Sequence, residues 1–192
     1  MEELTELLKT EEIAGGHLKT VTDSGEIKKV VFILVGHYLP GFRGGGPIRS
    51  ISNLVSALGK YFRFKVITLD RDLGATLPYP DLPVSRWIRI GNADVMYLAP
   101  GFGGLLRMIV LLRSLDQSAV LYLNSFFSRR FSMLAIYLWR LGLIHPGSLV
   151  IAPRGEFSPG ALQLKRGRKM LYIRLSRWLG LYRSVIWHAS TQ

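Results

Sequence analysis

Residues Tyr38-Leu39-Pro40-Gly41-Phe42-Arg43-Gly44-Gly45-Gly46-Pro47 join a short apolar run to a helical pattern. The run before them, Val30 to Val35 (VVFILV), is too short for a core helix and rich in β-branched residues. That composition predicts a strand covered on both faces. After the junction, Pro47 suits a first helical position, and Ile48, Ile51, Leu54, Val55 and Leu58 recur at helical spacing until Gly59. Three glycines ahead of a helix allow unusual backbone angles and close ligand approach, while the free N–H groups and the helix dipole favour an anion. A bare strand-to-helix turn would show the same local pattern. The stretch is neither GxGxxG nor GxxxxGK[ST], so neither a nicotinamide cofactor nor ATP is indicated.

Outward from this junction the pattern repeats. Phe64 to Leu69 reads as a second strand, and Arg86 to Ile90 with Asp94 to Leu98, split by Gly91-Asn92, as a hairpin or two short strands. A helix around Leu105 to Leu115, a strand at Val120 to Leu123, a helix around Ser128 to Leu141 and a strand at Leu149 to Ala152 follow. Ser158-Pro159 opens a last helix that runs to about Leu181, and Val185 to His188 closes the series as a short strand. Strands alternating with helices predict an α/β fold, a Rossmann-like doubly wound, mainly parallel sheet with helices on both faces. Residues 1–28, which lack sustained periodicity beyond a short helix at Leu4 to Leu8, read as a poorly ordered tail ahead of one domain over 29–192.

Composition narrows the function. The 192 residues contain no cysteine, which excludes disulfides, thiolate metal sites and a thiol nucleophile. Hydrophobic residues make up 48% and the mean hydropathy is +0.23, yet no apolar run approaches the roughly 18 residues of a membrane span. Arg107 and Arg140 interrupt the two longest. The N-terminus is acidic and polar, unlike a signal peptide, so a cytoplasmic location is expected. The net charge of +12 is unevenly placed: residues 1–94 hold 12 Lys/Arg and 11 Asp/Glu, whereas residues 95–192 hold 13 Lys/Arg against Asp116 and Glu156. An anionic partner is implied for the second half, be it a lipid surface, a phosphorylated substrate or, less favoured, a nucleic acid.

Particular residues carry candidate chemistry. Asp70-Arg71-Asp72 has the spacing of a metal-binding carboxylate pair, although a turn cap is the favoured reading. His37 beside the glycines is positioned to exchange a proton or donate to a phosphate, while His188, in an apolar strand, reads as a hydrogen-bonded core residue. No HExxH, GxSxG or His-Cys cluster supports zinc or serine hydrolysis. Arg154 and Glu156 follow a strand, at the end where open α/β sheets bind ligands. Arg154 is suited to clamp a phosphate or carboxylate, or the two residues form an internal ion pair. The last helix interleaves Lys165, Arg166, Arg168, Lys169, Arg174 and Arg177 with apolar residues. Leu171, Leu175, Trp178 and Tyr182 share a face, which suits either a membrane surface or a core with a solvated basic side.

These segments, taken in order, carry a resemblance. Tyr38-Leu39-Pro40, Gly44-Gly45-Gly46-Pro47-Ile48-Arg49-Ser50, Val66-Ile67-Thr68, Asp70-Arg71-Asp72, Tyr122-Leu123-Asn124-Ser125-Phe126-Phe127, Ala152 to Leu162 and His188-Ala189-Ser190 resemble the N-terminal domain of family-four glycosyltransferases of the GT-B fold. The resemblance covers about residues 28–192 and implies a retaining transferase. Such an enzyme moves a sugar from a nucleotide-sugar donor to a glycan or lipid-linked acceptor, peripherally at the inner face of the cytoplasmic membrane. It implies that Gly44, Gly45 and Gly46 approach the donor diphosphate, and that Arg43, Arg49, Ser125, Arg154 and Glu156 line the acceptor cleft. No metal or other cofactor is implied, the nucleotide sugar being a co-substrate. Many members place a histidine after the Tyr122-Leu123 strand. Asn124 and Ser125 stand there instead, so Asn124 and His37 are the remaining catalytic candidates. The resemblance also implies a separate C-terminal donor domain, not recognisable here, and hence weak or no activity of this half alone. A non-catalytic module that binds a membrane or a polysaccharide precursor is the alternative.

Overall fold

In the computed structural model, which describes residues 28–189, the chain builds one seven-stranded sheet. The strands are β1 (Lys29–Leu34), β2 (Phe62–Leu69), β3 (Trp87–Ile90), β4 (Ala93–Leu98), β5 (Val120–Leu123), β6 (Ser148–Ile151) and β7 (Ile186–Trp187). Their order is β3-β4-β2-β1-β5-β6-β7, and every neighbour pair is parallel except β3 with β4. The α/β, doubly wound expectation therefore holds. The expected tail, with its helix at Leu4 to Leu8, lies outside the described residues apart from Lys28.

Helices cover both faces, which explains why β1 is apolar at every position after Lys29. Val31, Ile33 and Val35 pack with Ile48, Ile51, Leu54, Val55 and Leu58 of α1 (Gly46–Leu58) on one face. Val30, Phe32 and Leu34 point into the opposite layer. That layer holds Met108 and Leu112 of α2 (Phe102–Arg113), Ala135, Ile136 and Leu138 of α3 (Leu134–Arg140), and Tyr172 of α5 (Arg166–Trp178). The change of face follows from handedness. Right-handed crossovers place a helix on one face when the chain steps from β1 towards β4, and on the other when it steps from β5 towards β7. The strand order reverses between β1 and β5. Such a reversal opens a crevice at the carboxyl edge, where ligands of open α/β sheets bind.

Packing tolerances are tight where α2 meets the strand edge. A Cβ on Gly104 would stand 2.1 Å from the Ala99 carbonyl oxygen, a backbone atom that cannot swing away. Alanine is the better helix former by about 1 kcal/mol. The clash outweighs that gain, so Gly104→Ala is expected to lower the urea unfolding midpoint; an unchanged or higher midpoint would contradict the close approach.

Several boundaries differ from the sequence reading. The Arg86 to Leu98 region forms the hairpin of the two options offered, turning at Gly91 with φ +56°. The helix expected from Ser128 starts as a π turn, Arg129–Met133, before α3, with the Ser128 hydroxyl accepting the Phe131 N–H at its start. The helix expected from Ser158 to Leu181 is broken into α4 (Pro159–Gln163) and α5. Leu164 is extended and Lys165 adopts φ +55°, so the ladder cannot continue through them. The Lys169 ammonium bridges the break by donating to the Ala161 carbonyl at 2.6 Å.

Orientation is the larger correction. Of α5, Tyr172 and Ser176 are buried, whereas Leu171, Leu175 and Trp178 are exposed. The face that sequence periodicity allowed as a core stripe points outward.

Candidate functional site

Two loop clusters border the crevice between β1 and β5, and each is organised around one carboxylate. On the β1 side, Asp72 holds the glycine loop: its Oδ2 accepts the N–H groups of Phe42 at 2.9 Å and Arg43 at 3.1 Å, and its Oδ1 accepts that of Leu73 at 2.7 Å. Burial pushes the Asp72 carboxyl up, but these three N–H donors outweigh it and hold it below the usual carboxylate range. The loop is closed from behind by Tyr97, whose hydroxyl donates to the Leu39 carbonyl. A Cβ on Gly41 would stand 2.2 Å from the Tyr79 hydroxyl and 2.9 Å from Asp72 Oδ1, so a larger residue there displaces both side chains.

The turn-cap reading of Asp70-Arg71-Asp72 is therefore the one observed. Asp70 is paired with Arg71 at 2.8 Å, and Asp72 is occupied by backbone. Because native Asp72 stays ionised more readily than the unfolded carboxyl, its stabilisation is present above the unfolded pKa and lost as pH falls through the depressed folded value. Asp72→Asn is expected to cost about 2 kcal/mol near neutral pH and to flatten the acid limb of the stability curve below about pH 4. Urea melts across that range test both effects.

What this bracing presents to the crevice is a helix terminus with no side-chain cap. Gly45 precedes α1 with φ +60° and ψ −123°, no side chain bonds the first turn, and no acid lies within it. That backbone region is essentially restricted to glycine, so Gly45→Ala should cost about 2 kcal/mol, read from thermal unfolding. A Cβ at Gly45 or Gly46 would meet nothing within 4 Å, so the space beyond the loop is open. Arg43 and Arg49 are exposed at its margin. His37 donates through Nδ1 to the Arg71 carbonyl at 3.0 Å, since a carbonyl can only accept. In the neutral imidazole this leaves Nε2 as the acceptor nitrogen.

On the other side, Arg154 and Glu156 leave β6 together and part company. No Arg154–Glu156 ion pair forms, which corrects that option. The Arg154 guanidinium donates through Nε to Asn124 Oδ1 at 2.7 Å and through Nη2 to the Tyr122 hydroxyl at 3.0 Å. Arginine carries donors only, so Asn124 must turn its oxygen to Arg154, and its buried Nδ2 remains without a hydrogen-bond partner. Tyr122, having accepted from Arg154, donates its single proton to His188 Nδ1 at 2.7 Å. Burial raises the Tyr122 hydroxyl to about 12.

Burial, and secondarily the nearby Arg154 charge, lower the His188 pKa and keep the imidazole neutral. Below the unfolded value near 6.5 the unfolded chain binds the extra proton first, so stability falls as pH drops through that value. His188→Gln should remove that limb from a urea-midpoint profile, and persistence of the limb would assign it elsewhere. The hydrogen bond expected of His188 is present, but the residue follows β7 and is only half-buried, so it belongs to the edge of the Arg154 cluster rather than to the core.

Glu156 goes to the loop after β5. Its carboxylate accepts the Ser125 hydroxyl at 2.7 Å and the N–H groups of Phe126 and Phe127, the latter at 3.3 Å. Ser125 Oγ in turn accepts the Ser128 N–H at 3.0 Å. Behind the loop, Phe126 stacks on Tyr182 with centroids 4.6 Å apart and on Trp187 at 5.9 Å. Arg154 has φ +54°, a left-handed backbone unusual for a side chain of this size. Such strain persists only where surrounding contacts impose it, and it clusters at functional sites.

The structure thus divides the sequence candidates. Gly44, Gly45, Gly46, Arg43, Arg49 and His37 flank the crevice from β1, and Asn124, Ser125, Arg154 and Glu156 from β5 and β6, where the Asn124 N–H bonds the Leu34 carbonyl at 3.1 Å. Of the basic residues of α5, Lys169 reaches the second cluster, its ammonium lying 4.9 Å from the centre of the Phe127 ring. Tyr122, Tyr97 and the bracing role of Asp72 escaped sequence reading; a polar residue inside an apolar strand was the available signal for the two tyrosines. Among the described residues, no three His, Asp or Glu side chains converge as metal ligands.

No family model and no curated protein matches this chain. Its fold is that of a Rossmann-like, mostly parallel α/β sheet, and no described helix is long and apolar enough to cross a membrane.

Proposed function

We propose that the chain is the acceptor-side half of a retaining glycosyltransferase of the GT-B fold, moving a sugar from a nucleotide donor to a glycan or lipid-linked acceptor. One observation carries the reading: an uncapped, glycine-lined helix N-terminus stands across the β1–β5 reversal from a loop cluster held by Arg154. The first can receive a diphosphate through backbone N–H groups and the helix dipole. The second offers the rest of the Arg154 guanidinium to hydroxyl or anionic groups of an acceptor.

Free His37 Nε2 is the better placed of the two candidates to take a proton, because Asn124 cannot act as a base. The nucleotide of the donor calls for a further domain, from additional sequence or a partner chain. Transfer of labelled sugar should be assayed from a set of nucleotide sugars, with this chain alone and with a candidate donor domain. Transfer that needs both pieces and falls at least about tenfold in His37→Ala supports the reading. No transfer in any arrangement overturns it.

A second reading has its own observation. Glu156 is consumed by the Ser125–Phe127 loop and most of Arg154 by Asn124 and Tyr122, so few free ionisable groups face the crevice. A non-catalytic module for a polysaccharide precursor fits that economy and predicts saturable glycan binding without transfer.

A further inference from the structure

The aromatic rings behind the second loop cluster form one packed group, and two of them reach solvent. Phe126, itself buried, lies at the centre: Phe157 packs on it with centroids 4.9 Å apart, and Trp187 lies nearly parallel to it at 5.9 Å with an interplanar angle of 25°. Phe157 is also held by Phe127 at 5.8 Å, and Trp187 by Tyr182 at 5.7 Å. Despite this packing, Phe157 is exposed by 38% and Trp187 by 49%. The inner face of the indole is occupied by Phe126, which leaves the outer one to solvent. With the Phe157 ring 6.5 Å away and tilted by 50°, it opens a shallow trough.

The trough adjoins the candidate site at two points of the chain. Phe157 follows Glu156 on the 3₁₀ turn Arg154–Phe157. Trp187, the last residue of β7, precedes His188, which accepts from Tyr122. Trp187 also pairs with Ile151 at the end of β6, so both rings stand at the carboxyl edge of the sheet, where ligands of open α/β folds bind. Lys169, over the Phe127 ring, gives one of its three donors to the Ala161 carbonyl and keeps two for a ligand.

This combination selects a class of ligand. The face of an aromatic ring is apolar and partially negative, and the C–H bonds on one face of a pyranose are its complement. The hydroxyls around the rim of the sugar then reach donors such as the Lys169 ammonium. Rings tilted by 50° cannot sandwich a flat nucleobase, whereas successive sugar units of a glycan change direction at each linkage. Because each exposed ring is locked by its neighbours, little order is lost when a ligand stacks on it.

We propose that Phe157 and Trp187 form a stacking subsite for the sugar unit next to the one held by the Arg154 cluster, so that the acceptor is an oligosaccharide rather than a single sugar. The subsite rests on the reading of the crevice as an acceptor site, whether the chain transfers sugar or only binds the precursor.

Titration of the whole chain with glucose, mannose, maltotetraose, cellotetraose and mannotetraose, followed by calorimetry and by acrylamide quenching of tryptophan fluorescence, tests it. At least one tetrasaccharide should bind about tenfold or more tighter than its own monosaccharide. It should also shield from acrylamide a signal that Trp187→Phe removes. Trp187→Ala should lower tetrasaccharide affinity by roughly tenfold and Phe157→Ala by roughly fivefold. Tyr61→Ala, which removes an exposed ring at the amino end of β2, should leave it unchanged. Both tested rings pack on Phe126, so Trp187→Leu, which keeps apolar bulk without a ring face, should lose roughly fivefold while a thermal melt verifies its folding. Shielding in the parent chain needs no variant.

A transfer assay with the same acceptors separates the subsite from the enzymatic reading. A tetrasaccharide that binds through Trp187 without receiving sugar leaves the subsite in a non-catalytic module. Transfer to glucose or mannose as fast as to the tetrasaccharides, and unchanged in Trp187→Ala, keeps the transferase and overturns the subsite. So do equal affinities for monosaccharide and tetrasaccharide, no binding of any tetrasaccharide, equal shielding by uridine monophosphate, or shielding of Trp187 that grows with protein concentration in the absence of sugar.

Discussion

Arg154→Gly should leave a more stable protein than Arg154→Ala, the reverse of the usual order for these two residues. Both substitutions remove the hydrogen bonds to Asn124 and Tyr122 and leave the buried Asn124 side chain with neither its oxygen nor its nitrogen satisfied. That loss should cost about 3 kcal/mol in either variant. The backbone then separates them. At φ +54° an alanine Cβ crowds the following carbonyl, a strain of about 1–2 kcal/mol that glycine does not feel. Glycine's larger unfolded-state entropy returns somewhat less than 1 kcal/mol of that advantage. A net margin of about 0.5–1 kcal/mol in favour of Arg154→Gly should appear in urea midpoints. Alanine equal to or better than glycine would show that Arg154 sits unstrained. Because the guanidinium also holds the Asn124 oxygen, both variants should lose sugar transfer or precursor binding, whichever activity the chain proves to have.

The second large effect is expected at Glu156. Glu156→Ala withdraws the acceptor from the Ser125 hydroxyl and from two backbone N–H groups, which have no other partner in the loop. Bonds to a charged acceptor are worth more than neutral ones, and three lost together should amount to about 3–4 kcal/mol after relaxation. For a chain of this size that is roughly a 10 °C drop in Tm. Glu156→Gln keeps an oxygen and a similar shape and should lose about half as much. Hydrogen exchange at the Phe126 and Phe127 amides should accelerate in both, while amides in the middle of β1 keep their protection. Uniform acceleration across the sheet would mean that Glu156 supports the global fold rather than its loop.

These two residues also show where sequence reading stopped. The position of Arg154 and Glu156 after a strand was enough to place them at the ligand-binding edge, because the carboxyl end of a parallel strand is defined by strand order alone. Their partners were not legible. Two opposite charges one residue apart suggested an ion pair, yet the left-handed backbone at Arg154 sends the two side chains to different neighbours. Asp72 illustrates the opposite case. Its role as a cap was favoured from local turn chemistry, and the structure adds that it holds Phe42 and Arg43, about thirty residues away in the chain. Local rules foresaw an acceptor and could not foresee which donors would arrive.

The helix from Arg166 to Trp178 gives the sharpest contrast. Periodicity found a stripe through Leu171, Leu175 and Trp178, but a repeat of 3.6 residues reports only that a stripe exists. Whether it meets the sheet or the solvent depends on how the break at Leu164-Lys165 rotates the helix before it lands.

Local pattern was therefore sufficient for the α/β class, the parallel sheet and the glycine-lined helix terminus after β1. Each follows from hydrophobic period, from proline and glycine placement, and from the handedness of crossovers, which are properties of neighbouring residues. Tertiary structure alone settled that Asp72 braces the loop, that Arg154 joins Asn124 to Tyr122 and that the basic helix turns leucines outward. Those depend on which distant groups share space once strands align, and on competition among donors for a few buried acceptors.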